Sequence, residues 1–144
     1  MTGTSAPACL LVYGTLQRGE RNHHLIAGAH YLAPAETAEA AFTLCVYGSV
    51  STPGRVTPAI SRGGTWRIGG EVYALDQDLL AVLDRFERVG LDYDREGVPL
   101  ASGGTAWLYL HRRTAQRQPL ADAPGRLLAD GCATWRDPLP PASA

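Results

Sequence analysis

The chain contains no lysine: all 13 basic residues are arginine, set against 14 acidic ones. The formal net charge of -1 provides no basic field to draw a polyanion, which argues against a nucleic-acid partner. With the many Ala, Gly and Pro, the arginine bias reads as the imprint of a GC-rich genome and carries no functional weight. Cysteine is scarce as well. Cys9, Cys45 and Cys132 are far apart and odd in number. They match neither a disulfide framework nor zinc spacing, so a reducing cytoplasm is the expected setting. The opening MTGTSAPACLLVYG lacks the basic n-region of a signal peptide, and its apolar run soon ends at Gly14. No stretch approaches the ~20 apolar residues of a membrane helix, so no membrane partner is expected.

What is present is ordinary globular composition: 45% hydrophobic and 19% charged residues in 144. That length fits one domain, expected over residues 1–144 with a core at 9–113 and a Pro- and Ala-rich tail partly packed back through Trp135. Residues 1–8 read as a frayed polar start. Cys9 to Tyr13 is a continuous apolar run, fit for a strand buried on both faces. Asn22 is placed to cap a short helix through His23, His24, Leu25 and Ile26.

One or two strands are expected between Glu36 and Val50, followed by a turn at Ser51–Arg55. A further strand is expected over Thr65–Leu75, with a bulge at Gly69-Gly70. Asp76 caps a helix to about Glu87, with Leu79, Leu80, Val82, Leu83 and Phe86 at helical spacing. After a connection at Val89–Asp94, strands Arg95–Leu100 and Thr105–Arg113 form a hairpin across Ala101-Ser102-Gly103-Gly104. Many strands with few helices suggest an α+β fold with a closed or nearly closed sheet.

Glu87 is the most informative residue. At about 100° per residue from Leu79, Leu83 falls near 40°, Glu87 near 80° and Leu80 near 100°. The other polar side chains of the helix, Gln77, Asp78, Asp84, Arg85 and Arg88, fall elsewhere. A carboxylate on an apolar face is costly unless it is paired or has a task, so Glu87 is either a helix-end residue that turns out to solvent or pairs with Arg88 or Arg95, or a functional group. A second feature is Tyr13-Gly14-Thr15-Leu16, at the end of the first strand. Glycine there lets the chain turn and present successive backbone N–H groups to a carboxylate. The segment is neither a P-loop nor a dinucleotide-binding turn. Adjacent His23 and His24 lack metal-pair spacing, Cys45 has no base beside it, and no metal site is expected. Arg112-Arg113 at a strand end reads as solvated.

Four segments, in order, resemble the γ-glutamylcyclotransferase-like (AIG2-like) family. They are Leu11-Val12-Tyr13-Gly14-Thr15-Leu16-Gln17-Arg18-Gly19 with Asn22-His23; Pro58-Ala59-Ile60 with Gly70-Glu71-Val72-Tyr73; Leu83-Asp84-Arg85-Phe86-Glu87 with Tyr93-Asp94-Arg95; and Ala106-Trp107-Leu108-Tyr109. The spacing is most similar to γ-glutamylamine cyclotransferases and to the butirosin-pathway γ-glutamyl acylamide cyclotransferase. Thr52–Gly64 and the tail segment Gly131–Trp135 depart from the pattern, which touches specificity more than chemistry.

The resemblance implies a small mixed β-barrel flanked by short helices, with a cavity at the Tyr13–Leu16 loop. It implies a cofactor-free, metal-independent cytoplasmic enzyme that takes a small γ-glutamyl amide and releases 5-oxoproline and a free amine. Glu87 would be its general acid/base. Tyr13, Gly14, Thr15, Leu16, Tyr93 and Tyr109 would bind substrate. A catalytically silent ligand-binding or interaction module of the same fold is the alternative.

Overall fold

The computed structural model describes residues 8–20, 22–48, 56–112, 125–127 and 132–135. The expected turn at Ser51–Arg55, Arg113 and the side chains of Cys45 and Trp135 lie outside the described residues. Among the described residues, nine strands, β1 (Ala8–Val12), β2 (His30–Glu36), β3 (Phe42–Gly48), β4 (Val56–Arg62), β5 (Arg67–Leu75), β6 (Tyr93–Pro99), β7 (Thr105–His111), β8 (Gly125–Leu127) and β9 (Cys132–Trp135), accompany one α-helix, α1 (Gln77–Phe86). A 3-10 turn spans His23–Ile26. The α+β expectation holds.

The barrel does not. The main sheet runs β6-β7-β1-β5-β9-β8 with β2 added along β5, and β3-β4 form a separate two-stranded ribbon. The reason lies in β5, whose nine residues serve three partners. β1 pairs with Glu71–Leu75, β2 with Gly69–Ala74, and β9 with Arg67 and Ile68. The sheet branches there, and among the described residues its end strands β6 and β8 do not pair with each other. Gly69-Gly70 marks the branch point. A Cβ on Gly70 would lie 2.0 Å from the Val12 carbonyl oxygen, and one on Gly69 would lie 2.9 Å from Cys132 Sγ. The expected bulge is displaced for the same reason. It falls on β2, where Leu32 is the extra residue between the Tyr31–Tyr73 and Ala33–Val72 pairs.

Strand β2 begins well before Glu36, and β6 begins at Tyr93 rather than Arg95. The hairpin turn at 101–104 is as expected, with Gly103 and Gly104 both at positive φ. In α1 the Asp76 carboxylate accepts from the Leu79 amide at 2.7 Å, satisfying one of the donors that a helix start leaves free. Leu80 and Leu83 are buried, whereas Val82 and Phe86 are exposed, so the inward stripe is narrower than the spacing suggests.

Among the described residues, two apolar clusters form the core. Leu11, Phe42, Ile60, Ile68, Val98 and Leu108 lead one, and Leu10, Ile26, Leu80, Leu83 and Tyr109 lead the other. Alternate residues of β1 enter each, because successive side chains of a strand point to opposite faces. Among the described residues, no helix is long and apolar enough to cross a membrane.

Candidate active site

The end of β1, the last turn of α1 and the facing edges of β6 and β7 enclose a cavity of about 270 Å³. Every residue singled out from the sequence lines it: Tyr13, Gly14, Thr15, Leu16, Glu87, Tyr93 and Tyr109. Leu11, Val12, Asn22, Pro58, Phe86 and Asp92 complete the wall.

The Tyr13–Leu16 loop is held from behind. Gln17, buried, donates its side-chain amide to the carbonyls of Tyr13 (2.8 Å) and Gly14 (3.2 Å). His23 Nδ1 lies 2.9 Å from the Leu16 carbonyl. Asn22 does not cap the turn that follows it; its side-chain amide donates to Thr15 Oγ1 at 3.0 Å, and its backbone N–H to the Thr15 carbonyl. Glu71, buried on β5, accepts from the Arg18 amide at 2.8 Å and from the Tyr73 hydroxyl at 3.0 Å. The loop's carbonyls are thus taken up. Among the described residues no acceptor meets the amides of Thr15 and Leu16. Unpaired amides beside a cavity favour an anionic ligand group. Gly14 admits Pro58 to this wall, since a Cβ there would lie 2.6 Å from Pro58 Cγ.

Glu87 closes α1. Its own N–H donates to the Leu83 carbonyl at 2.8 Å; the Arg88 N–H reaches Arg85 and the Val89 N–H reaches Asp84. This pair of bonds ends a helix with the following residue in the left-handed region, a position that glycine usually fills. Here it is Arg88, at φ +55°. Arg88 also pairs with Asp92 at 3.3 Å, which secures the chain after the helix. Glu87 itself takes neither expected ion-pair partner: Arg88 turns to Asp92 and Arg95 to Asp84. Among the described residues no donor meets its carboxylate, and burial pushes the Glu87 carboxyl well above its ordinary range, to about 7.

The opposite wall is aromatic. Tyr109 Oη donates to Asp84 at 2.7 Å, and Tyr13 Oη donates to the Tyr109 carbonyl at 3.4 Å. Tyr93 stacks edge-on against His111, ring centroids 4.8 Å apart. Burial first, then the hydrogen bond to Asp84 and the negative charges of Asp84 and Glu87, hold the Tyr109 hydroxyl far above its ordinary pKa.

Sequence reasoning missed Asn22, Pro58, Phe86 and Asp92 as parts of the wall. Pro58 and Asn22 lie in segments that carry the resemblance. Phe86 counted as an apolar stripe residue, and nothing in the sequence marks Asp92. Among the described residues, no three His, Cys, Asp or Glu side chains group as a metal site.

A carboxyl that exchanges protons near neutrality, set beside backbone amides that meet no acceptor among the described residues, can move a proton next to a bound anionic group. Residues 10–129 match the family model described as gamma-glutamyl cyclotransferase, AIG2-like. A Vibrio cholerae protein with a provisional gamma-glutamylcyclotransferase name is 33% identical over 114 residues, covering 79% of this chain and 90% of that one. The gamma-glutamylaminecyclotransferase of Bos taurus is 36% identical over 108 residues, covering 72% of this chain and 61% of its own length. The crystal structure of an AIG2-like protein from Mus musculus superposes with a TM-score of 0.65 at 25% identity, covering 80% of this chain and 82% of that one. The chain belongs to the AIG2-like gamma-glutamyl cyclotransferase family, and its relatives are named as cyclotransferase enzymes.

Proposed function

We propose that the protein cleaves a γ-glutamyl amine or amide by cyclisation, releasing 5-oxoproline and a free amine, with Glu87 as general acid and base. The observation that carries this reading is Glu87 itself: a carboxyl raised to about 7, on the wall that also holds the loop amides. We take residues 1–144 as one cytoplasmic domain serving a small-molecule substrate.

In this reading the amides of Thr15 and Leu16 receive the substrate's α-carboxylate. Tyr13, Gly14, Tyr93 and Tyr109 shape the walls that fold the glutamyl chain. Glu87 takes a proton from the α-ammonium, and the freed amine attacks the γ-carbonyl carbon to close a five-membered ring. The scissile C–N bond then breaks as Glu87 returns that proton to the departing amine. The ring nitrogen sheds its second proton to Glu87, which passes it on, so that the amine leaves as an ammonium ion and the carboxylate is restored. No water is consumed. Holding the chain folded makes the attack intramolecular, an advantage of roughly 7–11 kcal/mol when alignment is good. A carboxyl near 7 suits both transfers at neutral pH, being basic enough to accept and acidic enough to donate.

The test is product identity across a panel of γ-glutamyl amines. The expected outcome is 5-oxoproline from those accepted, and no cleavage of their N-acetylated or α-linked counterparts. Free glutamate as primary product would replace cyclisation with hydrolysis. Binding of glutamate-like ligands without turnover of any panel member would identify a silent binding module.

A further inference from the structure

Asp84 and Glu87 are three residues apart, so the last turn of α1 brings both carboxylates to one side of the helix. Only Glu87 lines the cavity. Asp84 turns to two neighbours on the sheet: its Oδ1 accepts from Tyr109 Oη at 2.7 Å and from Arg95 Nε at 2.9 Å. Arg95 and Tyr109 are direct cross-strand partners on β6 and β7, so they reach the same oxygen side by side. The Arg95 guanidinium is fixed in turn by lying over the Trp107 ring, 4.2 Å from its centroid.

A carboxylate can only accept hydrogen bonds, so the phenolic proton of Tyr109 is committed to Asp84. What remains on the Tyr109 oxygen is acceptor capacity. Among the described residues no donor meets that oxygen. Tyr109 lines the cavity together with Glu87. A tyrosine held this way cannot donate into the cavity, which makes it unsuited to stabilising an oxyanion and suited to receiving a cationic donor.

We propose that Asp84 is a positioning residue that polarises Tyr109, and that the Tyr109 oxygen, with Glu87, receives the α-ammonium of the γ-glutamyl group. This assignment rests on the cyclotransferase reading and adds to it a selection for the protonated amine at the binding step. The ammonium is then held between a neutral acceptor and the carboxylate that removes its proton. In this arrangement the nitrogen is oriented before it becomes a nucleophile.

The test uses two probes that differ only in the amine, L-glutamate and glutarate, as competitive inhibitors of 5-oxoproline release. Wild-type protein binds L-glutamate more tightly than glutarate. Tyr109→Phe removes the acceptor and leaves Asp84 with Arg95. Asp84→Asn can turn an N–H toward Tyr109, freeing the phenol to donate into the cavity. In both variants the preference for L-glutamate is expected to fall about tenfold, the scale of one hydrogen bond to a charged group, while the glutarate constant stays within about twofold. A structural lesion would weaken both probes alike and lower the melting temperature.

An unchanged glutamate-to-glutarate ratio in Tyr109→Phe overturns the proposal. So does a loss confined to kcat, which would assign Tyr109 to the carbonyl oxygen instead. Absence of 5-oxoproline from the wild-type protein overturns the cyclotransferase reading itself. Direct binding of the two probes, measured calorimetrically on the same variants, then decides the ammonium assignment separately.

Discussion

Glu71 and Glu87 both bring a carboxylate to the surroundings of the Tyr13–Arg18 loop, with opposite outcomes. Glu71 is buried and fully engaged: the Arg18 amide and the Tyr73 hydroxyl donate to Oε1, and the Arg18 guanidinium lies 3.6 Å from Oε2. Its charge is satisfied and fixes the loop. Among the described residues no donor meets the Glu87 carboxylate, and burial alone raises it to about 7. Two identical side chains thus differ in their neighbours only. Donors turn one into a brace, and their absence leaves the other free to exchange protons.

The contrast is broken most directly by Glu87→Gln. The amide keeps the size of the side chain but cannot accept the ammonium proton. We expect kcat for 5-oxoproline release to fall at least ~10²-fold, with the melting temperature unchanged or higher. Turnover close to wild type would make Glu87 another brace.

Glu71→Ala should do the reverse. It strips the acceptor from the Arg18 amide and the Tyr73 hydroxyl, which should cost about 2–3 kcal/mol in denaturant unfolding. KM should rise as the loop amides lose their fixed direction, with kcat affected less. A stable variant with unchanged KM would show that Gln17, Asn22 and His23 hold the loop without Glu71.

A pH series sharpens the same difference. If Glu87 acts as a base with a folded value near 7, kcat/KM should rise with pH and level off above neutrality. The effect on stability has the opposite sign. Between the ordinary value of 4.5 and about 7, the folded chain holds the Glu87 proton more tightly than the unfolded chain does. That stabilisation is complete below the lower value and is lost as pH rises through the upper one. Glu87→Gln should therefore flatten the stability profile across pH 4.5–7. An activity limb near pH 4 would mean that burial does not tune this carboxyl.

The smallest effect is expected from Arg88→Gly. Arg88 occupies left-handed backbone at φ +55°, where glycine carries no Cβ penalty. Stability should increase by about 0.5–1 kcal/mol, less the small contribution of the exposed pair with Asp92. A decrease would show that this pair matters more than backbone strain.

How much was legible follows the range of the interactions. Helix α1 could be read because its cap and its apolar spacing are local: Asp76 reaches the Leu79 amide within one turn. The same spacing put Glu87 on the inward face, although it also counted Phe86 and Val82, which are exposed. Strand β2 was mostly missed. His30–Ala35 holds no β-branched residue, includes Pro34, and lies half-exposed along β5 with a bulge at Leu32, so neither composition nor alternation marks it. The closed sheet failed because closure depends on which edge of β5 each partner takes, and no single strand's pattern records that.

The sequence by itself determined the apolar strand β1, the turn at Gly14, the capped helix that ends in Glu87 and the family resemblance carried by four short segments. Each depends on residues a few positions apart, whose side-chain directions follow from helix and strand periodicity. The tertiary structure alone decided which carboxylate became a brace. Glu71 meets Arg18 across 53 positions, and Asp84 meets Tyr109 across 25. It also decided that β5 branches and that no donor among the described residues meets Glu87. Those outcomes depend on which donors arrive from distant strands, and that is set by strand register and burial, not by the identity of the glutamate.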